Sequence, residues 1–589
     1  MKIIKTIGLT LFIAGFVLFN SFFFLASYRL TPEQINAKIT DTRKKDLFIE
    51  AVKPLLNETV SSQFIFVSKL REVFTRINVQ QINLYSFTET ELDHLVDLNA
   101  DKFLMTTVDS AFSVTEKVST FKNKSLKDFG GWLDGSTIRS KHELKSHLRS
   151  ITDKIEKYGI VNQFGFDRYQ RKDLIYSLTK SAAMGPVKNN PVSFLLLTIG
   201  LCAFGAMLYI LPKLKIQPGI QNNGIFFNVM KNTGWLGILT STWLMAFYVV
   251  LYFYPEYMTN WIIMTDPVSK LINGNEASRF FLYGFIYTLC ILVMGVRMII
   301  LYRHSKYQIL RTCSVMFFQT AFAFLIPEIL IRLNKPYFDF KNIWPLDYSF
   351  FFDSRLSELT ASGTLGIFMI GWGIALIIIA VPVLVYFFGK RWYCSWVCGC
   401  GGLAETLGDP YRQLSSKTLK AWKFERWIIH GVLVFAVVMT AGVLYTYFTK
   451  SSWFLFFDTY TLREVYGVGI GAVFAGVVGT GFYPLMGNRV WCRFGCPLAA
   501  YLGFVQRFKS RFRITTNGGQ CISCGNCSTY CEMGIDVRWY AQRGQNIVRS
   551  SCVGCGVCSS VCPRGVLNLE VSDETGRFGK PILIGNNNV

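Results

Sequence analysis

Eight apolar stretches of roughly twenty residues, a long polar interval without cysteine after the first of them, and eight cysteines within residues 521–562 after the last predict the fold class. It is a polytopic α-helical membrane protein of about eight spans, with an outward-facing soluble domain near the N-terminus and a small cysteine-rich domain at the C-terminus. Composition agrees. Of 589 residues, 51% are hydrophobic, 15% aromatic and only 17% charged, with a mean hydropathy of +0.31, which excludes an ordinary soluble protein. The 61 basic against 38 acidic residues give a formal charge of +23. On a soluble chain that excess would suggest nucleic acid; on a membrane protein it reflects Lys and Arg gathered on inner loops, and no nucleic-acid partner is expected.

Residues 4–27 make the first span, with Lys2 and Lys5 ahead of it. Its apolar run is longer than a signal-peptide core and no small-residue cleavage site follows, so residues 1–27 read as an uncleaved anchor. Residues 28–190 turn rich in Lys, Asp, Glu, Ser and Thr, and helical periodicity runs through Lys44–Leu56, Ser62–Ile77 and His142–Tyr158. That is chain enough to bury a core of its own. Seven further spans fall near 193–211, 235–254, 280–301, 313–332, 364–388, 427–448 and 467–486, within a membrane domain of residues 191–508. Residues 509–589 form the last domain.

Loop charges orient the chain. One side collects Lys213, Lys215 and Lys231, then Arg303, Lys306 and Arg311, then Lys390, Arg391, Arg412, Lys417, Lys420, Lys423 and Arg426. The other side holds Glu256, Asp266 and Glu276, then Asp339, Asp347, Asp353 and Glu358, then Asp458. By the positive-inside rule the basic side is cytoplasmic, and both termini lie there.

The C-terminal cysteines carry the chemistry. Cys521-x-x-Cys524-x-x-Cys527-x-x-x-Cys531 is followed by Cys552-x-x-Cys555-x-x-Cys558-x-x-x-Cys562-Pro563, twice the spacing that wraps an iron–sulfur cubane. Three thiolates on one tight loop reach three corners of a cluster, with Gly525, Gly554 and Gly556 supplying the turns. In two-cluster ferredoxins the last cysteine of each run crosses over. The first [4Fe-4S] cluster is therefore assigned Cys521, Cys524, Cys527 and Cys562, and the second Cys552, Cys555, Cys558 and Cys531. Glu532 stands where a second Cys-Pro ending would fall, a departure that leaves the ligands intact. Zinc would favour two separated hooks or histidine ligands, and disulfides an oxidising compartment.

A second cysteine system follows two spans: Lys390-Arg391-Trp392-Tyr393-Cys394-x-x-x-Cys398-Gly399-Cys400, and Asn488-Arg489-Val490-Trp491-Cys492-x-x-x-Cys496-Pro497. Cys394, Cys398, Cys400, Cys492 and Cys496 could hold an additional metal or cluster, form a redox dithiol, or be structural thiols. Cys202, Cys290 and Cys313 read as packing residues. Haem is not expected, because only His304 and His430 lie near spans and they sit in different loops. Glu328 and Arg332, one helical turn apart near the end of the fifth span, are either a structural ion pair or part of a quinone site.

The order of two membrane-face Cys-x-x-x-Cys pairs followed by two cubane motifs, over roughly the C-terminal half, resembles the membrane polyferredoxin family of NosR and NapH. The resemblance implies a bacterial inner-membrane protein with residues 28–190 periplasmic. It implies a relay of electrons between a cytoplasmic donor or the quinone pool and a periplasmic redox protein, and leaves room for quinol dehydrogenase activity. The NosR type carries a covalent flavin site resembling Ser-Gly-Ala-Thr-x-Thr. This chain offers Asp134-Gly135-Ser136-Thr137-Ile138-Arg139-Ser140, a degenerate flavin site at Thr137 in which Arg139 takes the acceptor position. A docking or sensor domain without FMN is therefore the expectation. The related CcoG type implies the alternative of a copper-reducing assembly factor, and a membrane-anchored redox sensor is a third reading.

Overall fold

The computed structural model describes residues 1–98, 116–134, 136, 140–219, 234–451, 453–454 and 456–572. It divides into two compact units, Met1–Phe19 with Val192–Tyr254 and Met264–Val589, and Asn20–Pro191 with Pro255–Ile263. The flavin-like position Thr137 lies outside the described residues.

Among the described residues the first unit is built on eight helices long and apolar enough to cross a membrane: Lys2–Ser21, Pro191–Lys215, Gly234–Phe253, Arg279–Leu301, Lys306–Arg332, Thr364–Phe388, Leu419–Thr449 and Thr459–Gly481. The first two meet through glycines. A Cβ on Gly8 would stand 2.7 Å from the Gly205 carbonyl, and one on Gly205 would stand 2.6 Å from the Gly8 carbonyl, so the backbones touch as closely as small residues allow. The seventh helix starts eight residues before its expected position, because Thr418 Oγ1 caps it by accepting from the Ala421 N–H at 3.3 Å. The eighth starts at Thr459, behind Asp458, which accepts from the Thr461 N–H at 2.9 Å. Wide π-type turns interrupt the fifth helix at Phe318–Leu325 and form Trp491–Gly495, both beside cysteines.

At the end of this unit, strands Phe512–Thr516 and Leu567–Val571 pair antiparallel, with Ile514 opposite Leu569. They bracket the two cysteine runs. Each run contains a short helix, Asn526–Thr529 or Val557–Ser560, entered through a glycine in the left-handed region, Gly525 (φ 78°) and Gly556 (φ 76°). This near-repetition is the physical counterpart of the duplicated spacing.

The second unit is a helical domain with a three-stranded antiparallel sheet in which Ser27–Arg29 lies between Thr59–Val60 and Ala183–Met184. The expected helices appear as Thr42–Val52, Gln63–Tyr85 and Lys141–Lys154, the last continuing to Ile160. Phe48, Phe74 and Phe166 pack ring against ring, and Asn78 clasps the Phe166 backbone through both its amide nitrogen and its oxygen at 2.9 Å. The stretch Pro255–Ile263 belongs here because Asn260 Nδ2 donates to the carbonyls of Phe22 and Leu25, each at 2.9 Å.

Candidate functional site

Three groups of cysteines gather in one continuous buried core that also takes in Tyr393, Trp491, Leu502 and Ile514. In the first group Cys521, Cys524, Cys527 and Cys562 line a single small cavity with Pro563 and Leu567. Cys527 has the other three as its charged-state neighbours, so the last cysteine of the second run does reach the first loop. In the second group the neighbours of Cys558 are Cys555, Cys552 and Cys531, with Cys527 of the first group beyond them. The Ile535 N–H donates to Cys531 Sγ at 3.4 Å.

The third group joins the two membrane-face pairs. Cys496 lies beside Cys492, Cys398 and Cys394, and Cys400 donates a thiol hydrogen bond to Cys398. Cys496 caps the helix Pro497–Lys509, its sulfur accepting from the Ala499 N–H at 3.4 Å. Arg489 Nη1 donates to Cys492 Sγ at 3.6 Å. Burial pushes the Cys394, Cys492 and Cys496 thiols up, whereas the hydrogen bond from Cys400 holds Cys398 down. Ionising such thiols takes positive charge, which a metal centre supplies along with Lys390 and Arg489.

The start of the helix Lys306–Arg332, the turn after Cys394 and the helix Pro497–Lys509 clamp the second group. Tyr307 Oη donates to the Gly554 carbonyl at 2.7 Å, and Gln308 Nε2 and Arg311 Nη1 donate to the Cys555 carbonyl at 2.8 and 3.1 Å. Ser395 Oγ, next to Cys394, donates to the Val553 carbonyl at 2.8 Å. Gln506 Nε2 donates to the carbonyls of Arg549 at 2.7 Å and Cys552 at 3.0 Å, while its oxygen accepts from the Lys390 N–H at 2.7 Å. The second and third groups are thus fixed against one another by direct hydrogen bonds.

A buried ionic chain runs between those two groups. Arg311 pairs with Glu405, and Glu405 with Arg489. Arg489 Nη2 reaches Glu532 at 2.9 Å, Glu532 reaches Arg412 Nη1 at 2.8 Å, Arg412 Nε reaches Asp409 at 3.1 Å, and Asp409 reaches Arg297 at 2.7 Å. Arg311, Arg412 and Arg489 are each only 1% exposed. Burial works against the Glu532 carboxylate, but Arg412 and Arg489 overcome it and hold the group well below the usual carboxylate range. Burial pushes Glu405 up. Sequence reasoning passed over these residues. Its one signal was Glu532 in the place of a proline, read as leaving the site unchanged; in the structure that carboxylate ties the two cysteine systems together.

The residues present fit iron–sulfur clusters. Arg412 Nη2, Arg489 Nε, Trp392 Nε1 and Trp491 Nε1 are buried N–H groups with no acceptor among the described residues, and Arg412 Nη1 lies 3.8 Å from Cys555 Sγ. Donors of this kind suit the sulfurs of an anionic cluster. Among the described residues no group of three or more His, Cys, Asp or Glu side chains closes to the spacing of a single metal ion.

The remaining candidates separate. Glu328 Oε2 accepts from Asn273 Nδ2 at 2.6 Å and lines a cavity of about 770 Å³ that extends past Tyr287, Gln319 and Tyr393 to Cys400. Gln319, on the π-type turn, donates to the Val397 carbonyl at 2.6 Å, beside Cys398. Arg332 is exposed, donates to the Leu271 carbonyl at 2.7 Å, and forms no ion pair with Glu328.

Comparison with known proteins agrees with this division. A 4Fe-4S binding domain matches residues 371–419 and 468–515, and a 4Fe-4S dicluster domain matches residues 520–567. These segments hold all thirteen candidate ligand cysteines. YccM of Escherichia coli (strain K12), named for electron transport, is 26% identical over 170 residues, 28% of this chain and 47% of its own length. The methylamine utilization ferredoxin-type protein MauN is 28% identical over 172 residues in Paracoccus denitrificans (27% of this chain, 56% of MauN). The Methylobacillus flagellatus MauN is 24% identical over 155 residues (26% and 52%). The chain spans about half the length of these relatives, and no solved structure matches. The C-terminal half thus carries [4Fe-4S] binding domains and is similar, over part of its length, to ferredoxin-type electron transport proteins.

Proposed function

We propose that the chain relays single electrons between a cytoplasmic donor or the quinone pool and a periplasmic redox protein, within a bacterial inner membrane. The supporting observation is the unbroken core that holds all three cysteine groups. In this reading Cys521, Cys524, Cys527 and Cys562 hold one [4Fe-4S] cluster and Cys552, Cys555, Cys558 and Cys531 a second. Cys394, Cys398, Cys492 and Cys496 hold a further centre, with Cys400 beside it. When bound, such clusters accept and release one electron at a time. The protein's own part is electrostatic: Arg412 and Arg489 set positive charge against the thiolates, and burial limits water most in the group of Cys394, Cys398, Cys492 and Cys496. Residues 28–190 form the periplasmic domain, carry no flavin and serve as the docking surface for the acceptor.

Quinol enters the cavity that ends on Cys400. Its oxidation releases two electrons and two protons; the electrons leave through the cysteine groups one at a time. Glu328, bonded to Asn273, is the residue placed to take a proton. Arg332 has no part in this. The test is anaerobic addition of a reduced menaquinone analogue to the purified chain while cluster absorbance is followed. Wild type bleaches, and E328Q bleaches about a hundredfold more slowly while dithionite still reduces it fully. Absence of bleaching in wild type would remove quinol as the donor and leave the cytoplasmic one.

A further inference from the structure

We propose that a second cavity, between the start of the helix Leu419–Thr449, the helix Pro497–Lys509 and residues 548–551, binds the headgroup of an anionic phospholipid. The cavity has a volume of about 650 Å³, and Lys390, Lys417, Arg426, Arg507 and Arg549 line it. Arg426 and Arg549 converge on one indole, their guanidinium carbons 5.4 and 5.1 Å from the Trp422 ring centre. The carboxylates in the wall are Glu425 and Asp536, and both are occupied. Glu425 takes Arg493 Nε and Ser551 Oγ, each at 2.6 Å, and Asp536 takes Ser528 Oγ at 2.6 Å. Among the described residues no carboxylate pairs with the five lining Lys and Arg side chains. Five cations outnumber the one carboxylate in the wall without a basic partner, Asp536, and a phosphate accepting from converging guanidiniums offsets the repulsion that remains.

The surroundings favour a lipid over a soluble anion. The cavity opens at the first turns of an apolar helix, where Trp427 is 75% exposed and Phe508, on the neighbouring helix, 64% exposed. Exposed aromatic rings beside cations at the end of an apolar helix belong at the headgroup level of a bilayer. Leu419, Ile429, Ala499 and Val548 give the cavity an apolar wall for the glycerol and upper chain. The inner end of the cavity is Cys492, so the occupant would lie against the third cysteine group.

The experiment is native mass spectrometry of the full-length chain in mild detergent with equal amounts of phosphatidylglycerol and phosphatidylcholine. Wild type is expected to retain about tenfold more phosphatidylglycerol. The exposed-site variant R426Q/R507Q/R549Q should fall to parity, and R426K/R507K/R549K should keep most of the preference. Unchanged cluster absorbance establishes that each variant is folded. Three results would each overturn the proposal: parity in wild type, a preference that survives in the glutamine variant, or its abolition by millimolar inorganic phosphate at constant ionic strength. The last would make this a soluble-phosphate site.

Discussion

Arg412 shows how much a single buried side chain contributes. Its Nη1 bonds Glu532 at 2.8 Å and lies 3.8 Å from Cys555 Sγ, so its charge acts on the second cysteine group with almost no water between. Reduction adds negative charge to that group, and a nearby cation favours it. Arg412→Gln should therefore lower the midpoint potential of this centre by tens of millivolts. This is less than the bare Coulomb value of about 4 kcal/mol for a unit charge 4 Å away at an effective dielectric near 20, because Glu532 and Asp409 offset much of the guanidinium's charge. The check is a potentiometric titration followed by electron paramagnetic resonance, with the signal from the Cys521, Cys524, Cys527 and Cys562 group shifting less. Equal shifts in both signals would mean general loosening and defeat the assignment. The grouping of the C-terminal cysteines was legible in the sequence because cluster geometry constrains spacing along a few residues. Arg412 was not legible, since its partner Glu532 is 120 positions away and nothing local marks the pair.

Gly401 carries the corresponding argument for an element. The short helix Gly399–Thr406 packs so tightly against the Cys394 turn that a Cβ on Gly401 would collide with the Cys394 carbonyl. Gly401→Ala should push the two apart and disable the third cysteine group while sparing the ferredoxin segment, whose glycine turns are built separately. The expected readout is lower iron and sulfide per chain, with the signals of the two C-terminal clusters unchanged and the apolar helices still folded by circular dichroism. Unchanged iron would argue that the third group holds no cluster. Helix identity was legible at this scale and helix ends were not. Lys420, Lys423 and Arg426 made the first two turns of the seventh helix read as a loop, whereas in the structure Thr418 starts the helix and those residues stand exposed on its first two turns. The glycine-rich eighth helix likewise begins earlier than its apolar run, on an Asp458 cap that composition alone does not reveal.

For the whole molecule, the argument turns on parity. Among the described residues eight apolar helices separate Met1 from the cysteine-rich segment, and if all eight cross, both ends lie on one side. Which side depends on charge: Lys390, Arg391, Lys417, Lys420, Lys423 and Arg426 crowd one set of loops, whereas Asp339, Asp347 and Asp353 crowd the opposite set. A fluorescent protein fused after Val589 should therefore fluoresce, because it folds in the cytoplasm. Alkaline phosphatase inserted after Asn57, in the polar stretch between Leu56 and Thr59, should be active, because it folds only outside. The two reporters are independent, and reversal of both would put the iron–sulfur segment outside and exclude a cytoplasmic donor. Failure of only one would break the parity and mean that an apolar helix does not cross. With the expected pair, electrons held by Cys521–Cys562 start on the cytoplasmic side. The cavity ending on Cys400 then opens from the opposite half of the membrane domain, where Glu276 and Asn275 line its wall. A quinol oxidised there would release its protons toward the outside while its electrons pass inward to the cysteine groups, and the reporters decide whether that vector exists.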